Sequence, residues 1–202
     1  MSVLNTVSRE TLDRLKLFEA LTRKWTRTIN LVSPATLDAF WDRHIVDSAQ
    51  IWALRPVKAS TWVDIGAGGG FPGLVIAALA AEQDPELKVT LVESDTRKCV
   101  FLRQTAREMG LSVTVETERV EKLTAPKADI LSARALATVD QILNFSRKLT
   151  DLSTVFILPK GKTAHQELDV ARESWSFECQ TSPSETDPEA LILRLSQVSR
   201  RS

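Results

Sequence analysis

Thr61-Trp62-Val63-Asp64-Ile65-Gly66-Ala67-Gly68-Gly69-Gly70-Phe71-Pro72-Gly73 is the stretch whose reading decides the fold. The apolar run Trp62 to Ile65 reads as a buried strand that carries one acid, Asp64. It stops at Gly66, Gly68, Gly69 and Gly70, and Pro72 then opens an apolar helix, Leu74 to Ala81. Proline suits a first helical turn, where its missing N–H leaves no bond unmade. Glycines let the chain reverse within a few residues and let a ligand approach where a Cβ would clash. Four of the chain's seven glycines fall in five consecutive positions, so the turn is encoded and not a chance excess.

Two registers compete for the ligand. A Gly-x-Gly-x-x-Gly dinucleotide fingerprint can be laid on Gly68, Gly70 and Gly73, but it puts Pro72 inside the phosphate-facing turn. The register Asp64-x-Gly66-x-Gly68-x-Gly70 fits better and resembles that of S-adenosylmethionine-dependent methyltransferases. An anion at Asp64 would repel a pyrophosphate but accepts hydrogen bonds from the ammonium of a methionyl group. Further on, Val89-Thr90-Leu91-Val92 ends in Glu93, an acid at a second strand tip, placed for ribose hydroxyls. A bare tight turn with flanking acids and an NAD-linked oxidoreductase remain the alternatives.

Composition sets the outer bounds. With 202 residues, 43% hydrophobic and 26% charged, the chain suits a globular domain with an appendage. Its longest apolar stretch, Leu74 to Ala81, is too short to span a membrane, and Met1 to Arg9 shows no signal-peptide core. No membrane association and a cytoplasmic location are expected. Cys99 and Cys179 have no metal spacing and read as buried thiols in a reducing compartment; no metal is expected. Net charge is zero, but residues 1–60 hold nine Lys/Arg against six Asp/Glu. Residues 167–189 are acidic, so a phosphate-bearing partner should meet the N-terminal part.

The periodicity divides the chain into an N-terminal two-helix cap, residues 1–58, and a main domain, residues 59–202. Ser8 caps a helix with Leu12, Leu15, Phe18, Leu21 and Trp25 on one face. Ser33 and Pro34 start a second, with Phe40, His44, Ile45, Ser48 and Trp52 on its apolar face. Arg43 and Asp47 are spaced to pair, and His44 is placed to bond Asp47 or Ser48. Strands are then expected at 61–65, 88–93, 112–117, 130–132, 154–158, 175–181 and 190–195. Helices are expected at 72–82, 96–109, 139–149 and 163–172. Pro159 should stop its segment from continuing as an interior strand. Ser182 to Pro188 reads as a solvated loop. The fold class is α/β, a Rossmann-like class I methyltransferase sheet with an N-terminal helical cap.

Methyl transfer from a sulfonium is an in-line displacement, so the enzyme mainly positions two partners. Methylating C5 of a pyrimidine requires a cysteine, typically after proline, and neither Cys99 nor Cys179 follows one. Exocyclic amines usually require an Asn/Asp-Pro-Pro-aromatic loop, and this chain has no Pro-Pro pair. A nucleophile that already owns a lone pair, such as guanine N7, needs neither. A small molecule or a protein side chain also remains open.

Several stretches resemble the RsmG (GidB) family of bacterial ribosomal RNA methyltransferases. They include Asn30-Leu31-Val32-Ser33, Arg43-His44-Ile45-Val46-Asp47-Ser48, the stretch Asp64 to Gly73, and Phe101-Leu102-Arg103. Arg119-Val120-Glu121, Ser132-Ala133-Arg134-Ala135 and Leu158-Pro159-Lys160-Gly161 follow in family order. The resemblance implies transfer of a methyl group from S-adenosylmethionine to N7 of a guanosine in 16S rRNA. The expected partner is 16S rRNA or a small ribosomal subunit particle, with no DNA, and the chain is expected to be a monomer. Carried over by residue, Gly66 and Phe71 contact the cofactor in the turn, Val120 and Glu121 its adenine end, and Arg134 closes the pocket. Asp64, Gly68 and Glu93 join the cofactor set from their place at the strand tips. Arg43, Arg134 and Lys160 are the candidates for the catalytic, RNA-facing side.

Overall fold

Ser8 accepts a hydrogen bond from the Thr11 N–H and so starts helix α1 (Arg9–Trp25), which buries Leu15 and Phe18. The computed structural model describes residues 3–201. The second cap segment departs from the single α-helix expected. It consists of a 3-10 turn (Pro34–Thr36), a π-helix (Trp41–Val46), one α-turn, α2 (Asp47–Ala49), and a 3-10 stretch (Gln50–Leu54). Ser33 makes no side-chain cap. The apolar stripe survives, with Phe40, Ile45, Ile51 and Trp52 buried. The change of pitch has a tertiary cause, described with the site below.

From Thr61 the short apolar runs become seven strands of one sheet. They are β1 (Thr61–Ile65), β2 (Lys88–Glu93), β3 (Val113–Thr117), β4 (Ile130–Ser132), β5 (Val155–Lys160), β6 (Trp175–Pro183) and β7 (Leu191–Arg200). Their order is β3-β2-β1-β4-β5-β7-β6. The first five run parallel, while β7 lies antiparallel between β5 and β6. Parallel neighbours need crossovers, and helices α3 (Gly73–Gln83), α4 (Thr96–Glu108) and α5 (Val139–Phe145) supply three of them. Helix α6 (Ala164–Ser174) leads into the closing hairpin.

Successive strand residues face opposite sides, so each face has its own core. Trp62, Val89 and Leu91 join α1, the second cap segment, α3 and α4 in one cluster. Val63, Ile65, Val92 and Leu131 join α5 and α6 in the other. Cap residues thus share a core with the sheet. Helix α3 is buried from Gly73 to Ala80 because it is packed between the cap and β2. Glu82 at its far end accepts hydrogen bonds from Ser8 and Thr11, tying α1 down.

Three further expectations change. Strand β5 continues through Pro159, because β4 ends opposite Ile157 and leaves Pro159 paired only with Ile192 of β7. Cys99 is buried, whereas Cys179, on the hairpin strand β6, is half-buried. Residues 184–190 do not simply face solvent; they dock on the second cap segment.

Candidate active site

The chain leaves β1 and turns at the carboxyl end of the sheet. Gly68 adopts φ +53°, and its N–H donates to Glu93 Oε2 at 2.9 Å, so the tip of β2 holds the turn. A Cβ built on Gly68 meets nothing nearer than the Gly66 carbonyl oxygen, at 3.6 Å. Gly73 is the opposite case. A Cβ there would run into Leu91 Cδ2 and lie 2.7 Å from Asp64 Oδ2, so only glycine lets α3 start this close to the sheet.

Asp64 is fully buried. Its Oδ2 accepts the Gly73 N–H at 3.0 Å and its Oδ1 the Ser132 hydroxyl at 2.7 Å. Ser132 Oγ in turn accepts the Trp62 indole N–H at 2.8 Å. The expected contact of Asp64 with a ligand's ammonium is therefore not made available here. Both oxygens point into the protein, Oδ2 bracing the start of α3 and Oδ1 holding Ser132 of β4. Burial pushes this carboxyl up to about 7, against the bonds from Ser132 and Gly73.

Before the turn lies a cavity of about 430 Å³. Gly66, Gly68 and Phe71 line it from the turn, Glu93 from β2, and Val120 and Glu121 from the segment after β3. Glu93 Oε1 accepts from the Ser94 and Asp95 N–H groups, which leaves Oε2 with one further acceptor site. Phe71 stacks on Phe18 with centroids 4.7 Å apart and lies 5.0 Å from the His44 ring, joining the turn to the cap.

Arg134, just past β4, lines the cavity and bonds the cap. Nη1 donates to Asp47 Oδ2 and to the Arg43 carbonyl, both at 3.0 Å, and Nη2 meets His44 Nδ1 at 3.0 Å. A guanidinium only donates, so His44 Nδ1 is the unprotonated nitrogen. The ring proton is on Nε2, 2.8 Å from Thr36 Oγ1, and the Thr36 hydroxyl donates to the Ser33 carbonyl at 2.7 Å. His44 is a hydrogen-bonded helix-face histidine, but its partners are Arg134 and Thr36 and not Asp47 or Ser48. Burial first, and then the positive Arg134 and Arg43, hold it down at about 4.

The π-helix now has its reason. In an α-helix the Asp47 N–H would bond the Arg43 carbonyl. Here it turns to the carbonyls of Asp42 and His44, and the Arg43 carbonyl accepts from Arg134. Ala135 follows in the left-handed region at φ 52°, a strained conformation for a residue with a Cβ.

A second cavity, about 520 Å³, shares Leu31, Arg134 and Ala135 with the first. Arg43 and Lys160 line it. Each cation in its wall has its own carboxylate: Arg43 with Asp187, Arg134 with Asp47, and Lys160 with Glu167. The expected Arg43–Asp47 pair is thus exchanged for these. Lys160 also donates to the Ala137 carbonyl, so its ammonium is engaged on two sides.

Asp64 and His44 impose opposite pH slopes on stability. Asp64 titrates above its ordinary 3.8, so its contribution is complete below that pH and is lost as pH rises through about 7. His44 titrates below its ordinary 6.5, so its contribution is present above that pH and is lost as pH falls through about 4. Between those limits the two offset each other. Asp64→Asn is expected to unmask the histidine, giving urea-unfolding free energies that fall more steeply on acidification than in the parent chain. Parallel pH profiles for the two proteins would contradict the opposition.

A family model described as GidB, rRNA small subunit methyltransferase G, matches residues 11–187. The chain belongs to the GidB family. A Ruegeria protein called ribosomal RNA small subunit methyltransferase G is 47% identical over 194 residues, covering 96% of this chain and 94% of the relative. A Parvibaculum lavamentivorans protein of the same name is 49% identical over 196 residues, covering 96% and 86%. Among solved structures, an O-methyltransferase from Bacillus cereus in complex with SAH superposes with TM-score 0.56 at 15% identity, covering 96% of this chain and 93% of that one. At that identity the likeness concerns the fold, the class I S-adenosylmethionine-dependent methyltransferase sheet.

The residues of this GidB chain suit the methyl donor. Gly68 has only an ordinary contact where a Cβ would stand, Glu93 keeps an acceptor site, and Val120 and Leu136 add apolar wall. Sequence reasoning missed Ser132, although the quoted Ser132-Ala133-Arg134-Ala135 motif contained it; its signal was register, since Ser132 on β4 pairs with Asp64 on β1. It also missed Thr36 and Asp187, for which the sequence holds no local signal. Among the described residues, no helix is long and apolar enough to cross a membrane, and no group of His, Cys, Asp and Glu is placed to hold a metal.

Proposed function

We propose that the chain transfers the methyl group of S-adenosylmethionine to N7 of a guanosine in 16S rRNA, as a cytoplasmic monomer. Its substrate is that RNA or a small ribosomal subunit particle, and DNA is not a substrate. The supporting observation is the junction of two cavities at Arg134, one built by the glycine turn and one by the cap and the closing hairpin. The relatives' names supply the acceptor class.

When bound, S-adenosylmethionine supplies an electrophilic methyl group. Gly66, Gly68, Phe71, Glu93, Val120 and Glu121 are the residues to hold it, with Asp64 bracing the turn from behind. Guanine N7 carries its own lone pair, so the reaction requires no general base. His44 fits that demand: it is neutral, and both ring nitrogens are engaged in holding Arg134 and Thr36. Transfer leaves a positive charge on the purine ring. The matched ion pairs around the second cavity keep its wall from opposing that charge, as unpaired cations would. Arg134 and Arg43 position the nucleotide, and Lys160 fixes the rim through Glu167.

The test is transfer of tritiated methyl label to small subunits from a strain lacking this gene. Label is expected in 16S rRNA and, after digestion, in 7-methylguanosine. Label confined to protein, to a small metabolite or to another base would refute the reading.

A further inference from the structure

The three ion pairs around the second cavity differ in one respect that decides what each can do. Arg134 and Asp47 expose 17% and 18% of their side chains, and Lys160 and Glu167 expose 8% and 17%. Arg43 and Asp187 expose 45% and 31%. Breaking either of the first two leaves a largely buried charge without a partner, which is strongly unfavourable. The third is a water-accessible pair of small net worth, and a new anion can replace one member.

Asp187 reaches Arg43 from the connection between β6 and β7. That connection is held to the same helical segment by other bonds: Glu185 N–H donates to Gln50 Oε1, and the Thr186 hydroxyl donates to Asp47 Oδ1. Asp187 itself places Oδ2 2.9 Å from Arg43 Nη1, and its other oxygen accepts the Glu189 N–H. A carboxylate in that position presents to a guanidinium what an RNA phosphate presents, two oxygens on a negative centre.

We infer that Asp187 is an internal stand-in for a backbone phosphate of the RNA, occupying Arg43 in the free enzyme and giving it up on docking. The inference rests on the proposed action on RNA. It makes Arg43 the exchangeable anion receptor at the mouth of the cavity, and Asp187 a competitor that lowers affinity for RNA without touching the methyl donor.

The test is binding of the full-length protein to 16S rRNA in the presence of S-adenosylhomocysteine, across a salt series. Asp187→Asn keeps an oxygen for the Glu189 N–H and is expected to tighten binding about two- to fivefold. It should also steepen the salt dependence by up to about one counterion. Glu189→Gln removes the same charge from the same loop but frees no cation, and is expected to leave affinity unchanged. In an Arg43→Gln background, Asp187→Asn should have no effect.

Equal gains from the Asp187 and Glu189 variants, or a gain that persists without Arg43, would reduce the effect to general repulsion and overturn the inference. Weaker binding by a folded Asp187→Asn would overturn it as well. Unchanged affinity for S-adenosylhomocysteine and an unchanged unfolding temperature establish that the variant is intact. A parent chain that methylates 16S rRNA while Asp187→Asn binds it no better removes the stand-in alone. A parent chain that labels no RNA removes the proposed function itself.

Discussion

Gly68→Val is expected to lower affinity for S-adenosylhomocysteine by at least about 100-fold, a loss near 2.7 kcal/mol, while the chain still folds. The residue sits at φ +53°, where a β-branched side chain is strained by about 1–2 kcal/mol. That strain is within the stability of an ordinary domain. Nothing in the protein blocks the new Cβ, whose nearest neighbour is the Gly66 carbonyl oxygen at 3.6 Å. The valine methyls therefore spend their volume in the cavity, on the ligand's side. Calorimetry reads the affinity and circular dichroism the fold. Normal binding by the valine variant would mean the methyl donor does not lie against this turn. Gly73→Ala separates the two effects, because its Cβ meets Asp64 and Leu91 and disturbs folding before binding.

Arg134→Ala is the second large effect. It leaves the Asp47 carboxylate, the His44 Nδ1 and the Arg43 carbonyl each without its guanidinium donor. Removing one partner of a buried pair destabilises by about 3–5 kcal/mol, and the partial exposure of Asp47 puts this case near the lower bound. Cofactor affinity should weaken, since Arg134 lines the first cavity. Methyl transfer should fall by about 100-fold or more, because the wall shared by the two cavities is no longer fixed. Arg134→Lys keeps the charge but cannot hold three acceptors in one plane, so it should recover stability better than activity. Calorimetry and single-turnover rates measure the two losses. Unchanged affinity for S-adenosylhomocysteine would take Arg134 out of the cofactor pocket.

The sheet was legible because each strand ends on a local signal. Gly66, Gly68 and Pro72 mark the end of β1 and the start of α3 with residues whose backbone preferences admit few alternatives. Gly110, at φ +66°, likewise marks the end of α4. Asp64 shows the limit of such reading. Its place at a strand tip was plain, but its direction was not. It lies two residues after Trp62 and so shares that residue's face, which α3 covers from Gly73 onward. Distance along the chain hid the rest. The spacing of Arg43 and Asp47 suggested a local pair, yet Arg134 and Asp187 compete from far away and win. Lys160, a candidate for the RNA-facing side, has Glu167 of α6 beside it, which its own stretch of sequence does not announce. Ser182 to Pro188 looked solvated from its polarity, which serves instead to bond Gln50 and Asp47.

The π-turn at Trp41–Val46 carries a consequence for length variation in this segment. A wide turn holds one residue more than a regular one, so deleting any single position there is the natural way to restore ordinary pitch. With one of residues 43–46 removed, the bond from the Asp47 amide to the Asp42 carbonyl would span four residues in place of five, so the segment upstream would keep its orientation relative to α2. With one of residues 44–46 gone, the Arg43 carbonyl that Arg134 now uses would lie four before the Ser48 amide and be taken into the helix. Hydrophobic content would hardly change, and a helix would still form. The loss would fall on the backbone anchor of Arg134, a bond between two distant segments, in a helix that still looks regular.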